Sequence, residues 1–105
     1  MKKMILSIDT SDREEIIVSI ARDGKKYEKK ELMGKLKSQR LLPLIAETLQ
    51  ELKLSPIDIT EIQVVTGPGS FTGLRVGVTI ANTLGWILDI PVNGRKGQPE
   101  KPIYQ

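Results

Sequence analysis

The chain contains neither cysteine nor histidine. Without cysteine it can form no disulfide and no thiolate metal site. Without histidine it lacks the side chain that most often acts as a general base or a metal ligand. The composition therefore argues against a self-contained catalytic triad and against a zinc site. We expect no catalytic residues, no metal ligands and no bound cofactor in this chain.

Long apolar runs are scarce. The first, residues 4–8, is ended by Asp9 and is too short for the hydrophobic region of a signal peptide. The longest, residues 74–88, contains Arg75 and Asn82 and falls short of a membrane span. A length of 105 residues suits one small domain. We therefore expect a cytoplasmic protein with no membrane contact.

Positive charge is concentrated in one segment, although the whole chain carries only +3. Residues 22–40 hold eight basic and three acidic side chains, whereas residues 41–66 hold one basic and four acidic. A lysine-rich segment can contact phosphates, but lysine also protects exposed strand edges. Because Tyr27 is the only aromatic residue in the segment, we favour a solvated strand edge. Direct contact with RNA remains the open alternative.

A glycine-rich stretch, residues 66–77, follows a β-branched run and leads into the longest apolar run. A P-loop needs lysine after its last glycine, and no lysine occurs between Lys53 and Lys96. A dinucleotide fingerprint needs G-x-G-x-x-G, and the third glycine here comes one residue too late. We therefore interpret the stretch as a tight structural loop. Its residues are Gly67, Pro68, Gly69, Ser70, Phe71, Thr72, Gly73 and Arg75.

Hydrophobic periodicity and turn residues predict an α/β fold. The predicted elements are strands at 4–9, 16–21, 26–32, 62–66 and 90–92 and helices at 39–52 and 73–88. Asp23-Gly24 marks a hairpin between the second and third strands. Pro43 is tolerated near the start of a helix, which places that start at about Ser38. The order βββαβαβ predicts a mixed five-stranded sheet.

Both predicted helices carry apolar or small residues at steps of three and four. Glycine inside a helix costs about 1 kcal/mol relative to alanine, so the glycines of the second helix indicate a close contact. That contact is either with the chain's own sheet and other helix or with a partner. We favour a partner and leave the other alternative open. The candidate interface residues are Leu41, Leu42, Ile45, Leu49, Leu74, Gly77, Val78, Ala81 and Gly85.

Three segments resemble the TsaB (YeaZ) family, namely residues 5–11, 38–45 and 67–77, of which the last is the most specific. Members of this family are bacterial partner subunits of the enzyme that makes threonylcarbamoyladenosine (t6A) in tRNA. The resemblance implies the actin-like (ASKHA, ribonuclease H-like) fold. Since members continue into a second lobe, we expect residues 1–94 to form a single N-terminal lobe. Residues 95–105 form a polar tail that we expect to be disordered.

The resemblance also implies a partner. It predicts a non-catalytic accessory subunit whose two helices pack against a TsaD-type catalytic subunit or a second copy of this chain, with tRNA bound only indirectly through the complex. Lys37 stands where many members have histidine, and residues 9–11 occupy the place of the actin-like phosphate loop without its usual glycine. Both departures argue against catalysis. The alternatives are a nucleotide-binding actin-like enzyme, a peptidase fragment, or a self-associating homodimeric module.

Overall fold

A computed structural model describes residues 2–32 and 37–103. Their elements are β1 (Met4–Asp9), β2 (Glu15–Arg22), β3 (Lys25–Leu32), α1 (Lys37–Glu51), β4 (Glu61–Val64) and α2 (Phe71–Leu88). A short 3-10 turn, Pro56–Asp58, precedes β4. No helix in these two ranges has the length and hydropathy needed to cross a membrane.

The strands form one mixed sheet in the order β3-β2-β1-β4. β1 and β3 pair antiparallel with β2, and β4 pairs parallel with β1. Asp23 and Gly24, both with positive φ, form the predicted hairpin turn between β2 and β3. A parallel neighbour requires a crossover, which α1 supplies between β3 and β4. The predicted mixed α/β architecture is confirmed.

The predicted fifth strand, residues 90–92, is wrong. Val92 makes one isolated parallel bridge to Ile62. Pro91 has no N–H to donate to a ladder, and Asn93, at φ 52°, starts a turn directly afterwards. The sheet of residues 2–32 and 37–103 therefore has four strands.

The Asn93 side chain pairs with the free edge of β4. Val64 N donates to Asn93 Oδ1 at 2.8 Å, and Asn93 Nδ2 donates to Val64 O at 3.0 Å. A side-chain amide offers one donor and one acceptor, as a backbone peptide does. Asn93 thus satisfies the two backbone groups that a longer fifth strand would have bonded.

Both helices cover the same face of the sheet. Side chains that alternate along β1, β2 and β4 point to this face and are buried against the helices. The strand residues of this core are Leu6, Ile8, Ile16, Val18, Ile20, Ile62 and Val64. The opposite face carries a cleft of about 670 Å³, whose lining includes Ser7, Ser19 and Gln63.

The helices start earlier than the sequence predicts. α2 begins at Phe71, two residues before the predicted start, because Ser70 Oγ accepts a hydrogen bond from Gly73 N and caps the helix. α1 extends back to Lys37, so Pro43 lies in its second turn rather than near its start. Proline leaves one carbonyl of the preceding turn without its helical donor. The exposed position of Pro43 allows water to reach this part of the helix.

The tail, predicted to be disordered, makes hydrogen bonds to the folded part. Glu100 N donates to Asn82 Oδ1, and Asn82 Nδ2 donates to Glu100 O, both at 2.9 Å. Ile103 N donates to Thr66 O at 2.6 Å. Residues 95–103 of the tail therefore run back along α2 towards the glycine-rich loop, and residues 104–105 lie outside the described residues.

Candidate functional site

The glycine-rich loop joins β4 to α2 and packs on the turn that follows β1. The Gly67–Pro68 peptide is cis. Ser70 N donates to Ser11 O at 2.7 Å, which attaches the loop to the β1–β2 turn. The loop and the turn thus form one structural unit at the carboxyl ends of the two parallel strands.

Three glycines allow this close approach. A Cβ atom on Gly69 would overlap the carbonyl oxygen of Ser11, and one on Gly73 would overlap the carbonyl oxygen of Thr10. A Cβ atom on Gly77 would overlap the hydroxyl of Thr10. Backbone oxygens cannot move aside as flexible side chains can. The packing therefore gives a steric reason for these three glycines.

Thr10 lies at the centre of the unit and is fully buried. Its hydroxyl donates to Gly73 O at 2.6 Å. Its carbonyl oxygen accepts a hydrogen bond from Lys37 Nζ at 3.3 Å. The first turn of α2, the β1–β2 turn and the start of α1 are therefore linked through one residue.

Lys37 is a buried cation, with 5% of its surface exposed. Burial lowers the pKa of its ammonium group, and the carboxylates of Asp12 and Asp9 act in the opposite direction. The ammonium group donates a hydrogen bond to the carbonyl oxygen of Thr10, and a carbonyl oxygen does not act as a catalytic nucleophile. In this arrangement Lys37 holds the β1–β2 turn and activates no hydroxyl for attack.

Asp9 is also engaged locally. Its Oδ1 accepts hydrogen bonds from Ser11 N at 3.0 Å and from Ser11 Oγ at 2.6 Å. This is the geometry of an Asx turn. Across residues 2–32 and 37–103, no group of three or more acidic side chains could hold a metal ion. Asp9 thus shapes the turn.

A cleft of about 490 Å³ opens between the amino-terminal ends of the two helices. Its lining residues are Arg13, Glu14, Lys37, Ser38, Ser70, Thr72, Gly73 and Val76. The hydroxyl of Ser70 is used as the α2 cap, and the ammonium of Lys37 is bonded to Thr10. The polar groups nearest the loop therefore support the fold.

Most of the candidate interface residues are buried within the fold of this chain. Those with buried side chains or buried glycine backbone are Leu41, Ile45, Leu49, Leu74, Gly77, Val78, Ala81 and Gly85. A Cβ atom on Gly85 would overlap the Val92 side chain, just as one on Gly77 would overlap Thr10. This placement favours the alternative in which these residues form the core. Leu42 is the exception, because it is 50% exposed.

A second apolar surface, which was not predicted from the sequence, lies on the outside of the two helices. We call this surface the outer helix face; it consists of Ser38, Leu42, Thr72, Arg75, Val76, Thr79 and Ile80. All but Leu42 line a groove of about 410 Å³. Leu42 follows Ser38 by one helical turn, so it continues the same row on α1.

Phe71 stands at one end of the outer helix face and is 55% exposed. The guanidinium carbon of Arg75 lies 5.6 Å from the centre of its ring, which is the distance of a cation–π contact. The signal that could have identified this face is the pair of apolar residues Val76 and Ile80, one helical turn apart. These positions fall outside the row Gly77–Ala81–Gly85 on which the prediction rested.

Two ion-pair clusters join β3 to α1. Tyr27 Oη and Lys29 Nζ both donate to the Glu51 carboxylate. Arg40 donates to both carboxylate oxygens of Glu31 at 2.8 and 2.9 Å. Hydrogen bonding to Arg40 lowers the pKa of Glu31. Part of the basic segment is therefore neutralised within the fold.

The comparisons with known proteins agree on one family. The family model described as "TsaD: tRNA N6-adenosine threonylcarbamoyltransferase" matches residues 27–94. The "tRNA threonylcarbamoyladenosine biosynthesis protein TsaB" of Bacillus subtilis (strain 168) is 40% identical over 85% of this chain and 39% of its own length. The protein of the same name from Escherichia coli (strain K12) is 37% identical over 86% of this chain and 38% of its own length.

A solved structure shows the same fold. "YeaZ from Pseudomonas aeruginosa" has a TM-score of 0.81 and 30% sequence identity over 86% of this chain and 42% of that chain. This chain thus spans about two fifths of the length of the relatives it matches. The chain belongs to the family that the TsaD model describes, and within it to the TsaB (YeaZ) proteins, whose N-terminal part it matches.

Proposed function

We propose that this chain is a non-catalytic subunit of the t6A machinery that binds a TsaD-type catalytic subunit, or a second copy of itself, through the outer helix face. The family supports the pathway, because its curated relatives are named as t6A biosynthesis proteins. The outer helix face supports the mode of action. The longer relatives contain more than this chain, so the proposal concerns the lobe described here.

The observation that carries the proposal is an apolar groove across two helices that pack side by side. Val76 and Ile80 are only partly buried by the chain's own core. Ser38 brings α1 into the lining of the groove, and the exposed Leu42 lies one helical turn beyond it. A pair of parallel or antiparallel helices from a partner would pack on such a surface by ridges into grooves. The groove suits association of helices better than binding of a small polar substrate.

The glycine-rich loop supports a non-catalytic role. Its Ser70 hydroxyl caps α2, and Gly69 and Gly73 pack against Ser11 and Thr10 of the β1–β2 turn. The peptidase alternative would need an activated nucleophile, and the buried lysine of this region bonds to a carbonyl oxygen instead. We therefore do not favour catalysis by this lobe.

The test places two charges on the outer helix face without changing a core residue. The double variant Leu42→Arg, Thr79→Arg changes two exposed positions on neighbouring helices. We expect association with a TsaD-type subunit, or self-association, to weaken by at least about tenfold, because unpaired charges buried in an interface cost several kcal/mol. Co-purification with the TsaD-type subunit and sedimentation of the chain alone measure the two cases.

Ile57→Arg is the matched control. Ile57 is 81% exposed and lies in the 3-10 turn, away from the groove. This variant should associate as the parent does, and both variants should keep the melting temperature of the parent within a few degrees. Undiminished association of the double variant with both partners would refute the outer helix face as the interface.

A further inference from the structure

Cations gather at the open edge of the sheet, around the β2–β3 hairpin. β3 is the outermost strand. The register places Arg22 opposite Lys25, and Met4 opposite Arg22, so the segment before β1 enters beside the hairpin. We call these cations the basic edge; they are Lys2, Lys3, Arg22, Lys25, Lys26 and Lys30.

The carboxylates of this region are unequally distributed over the two faces. On the side of β3 that faces the helices, Glu31 and Glu51 are bonded to Arg40 and Lys29. The fold itself therefore neutralises this side. None of these four residues contributes to the basic edge.

The basic edge keeps its charge. The carboxylates that pair with it are Asp23, 3.8 Å from Lys2, and Glu28, 3.9 Å from Lys26. Both distances lie at the outer limit of an ion pair, and exposed pairs of this kind contribute little. Within residues 2–32 and 37–103, the other four cations of the basic edge make no ion pair. The six cations exceed the two carboxylates paired with them by four charges.

We propose that the basic edge binds the phosphate backbone of RNA. The choice of RNA among polyanions rests on the proposed function in tRNA modification. Exposed lysine and arginine side chains on a strand edge bind phosphates by charge and by release of counterions, without a preformed pocket. Contacts with phosphates do not depend on the base sequence, so the basic edge would position an RNA rather than select a particular RNA sequence.

An anionic membrane is the less suitable partner for this surface. Interfacial anchoring needs apolar or aromatic side chains beside the cations. The aromatic residue of the hairpin, Tyr27, points to the helix side, where its hydroxyl is bonded to Glu51. Lysines on an edge strand also discourage strand pairing, and this role is compatible with RNA binding.

The experiment measures binding of the full chain to unmodified tRNA over a series of salt concentrations. The variant Lys25→Gln, Lys26→Gln removes two neighbouring charges of the basic edge. Lys96→Gln, Lys101→Gln removes two exposed charges from the tail and is the matched control. We expect the slope of log affinity against log salt to become shallower by about two in the first variant. The control should keep the parent slope.

An equal change of slope in both variants, or an unchanged slope in the first, would overturn the proposal. Stronger binding to phosphatidylserine vesicles than to tRNA, measured by co-sedimentation at matched salt, would also overturn it and identify a membrane surface. The assay uses no partner subunit. Failure of RNA binding thus leaves the association test of the outer helix face untouched, and failure of association leaves this test untouched.

Discussion

At the scale of residues, Lys37 is a cation held away from water. Its pKa is lowered mainly by burial, so in the pH range between its folded and unfolded pKa values the unfolded chain binds more protons than the folded one. Stability should therefore rise as the pH increases towards the ordinary lysine pKa of 10.5. The single hydrogen bond to Thr10 O offsets only part of the cost of burial.

Replacement of Lys37 by methionine should remove this pH dependence. Methionine has a similar length and no charge, so we expect the variant to be as stable as the parent, or more stable, at neutral pH. Urea unfolding at neutral and at alkaline pH measures both effects. Lys37→Gln, which keeps a donor but no charge, is the companion variant. A methionine variant whose free energy of unfolding rises with pH as steeply as that of the parent would contradict the assignment.

At the scale of elements, hydrophobic periodicity predicted the strands and helices that have one apolar face. It did not resolve a helix with two apolar faces. The strand and helix positions followed from runs such as Met4–Asp9, where the apolar pattern has one interpretation. α2 has two apolar stripes, and only their burial shows which one faces the sheet. The segment at residues 90–92 has β-branched side chains, but Pro91 and the turn at Asn93 limit it to one bridge.

The buried stripe of α2 gives a prediction at the same scale. Ala81 is fully buried between α2 and the sheet, so Ala81→Leu should overpack the core and lower stability by about 1–3 kcal/mol. Thermal melting measures this loss, and sedimentation at matched concentration should show the association state of the parent. Thr83→Leu, at an exposed position on the opposite side of the helix about half a turn away, is the control. If the Ala81→Leu variant melts like the parent but no longer associates, the stripe belongs to an interface between subunits and not to the core.

At the scale of the whole molecule, the sheet ends where Asn93 pairs with Val64. Asn93→Ala removes both hydrogen bonds and leaves the edge of β4 without them. We expect a loss of about 1–3 kcal/mol, because each of the two hydrogen bonds contributes about 0.5–1.5 kcal/mol. Hydrogen exchange of the Val64 amide should become faster, while that of the β1–β2 amides changes only with global stability. Unchanged protection at Val64 would show that another group closes this edge.

The parallel pairing of β1 with β4 determines which parts of the molecule depend on distant segments. Met4 and Thr60, which are bonded to each other at the start of this pairing, are 56 residues apart in the chain. Closing so long a loop costs more conformational entropy than forming the local β1–β2–β3 meander. The glycine-rich loop directly follows β4, so its contacts with Thr10 and Ser11 depend on the same pairing. A piece of the chain that ends before the loop contains the whole meander but none of these contacts.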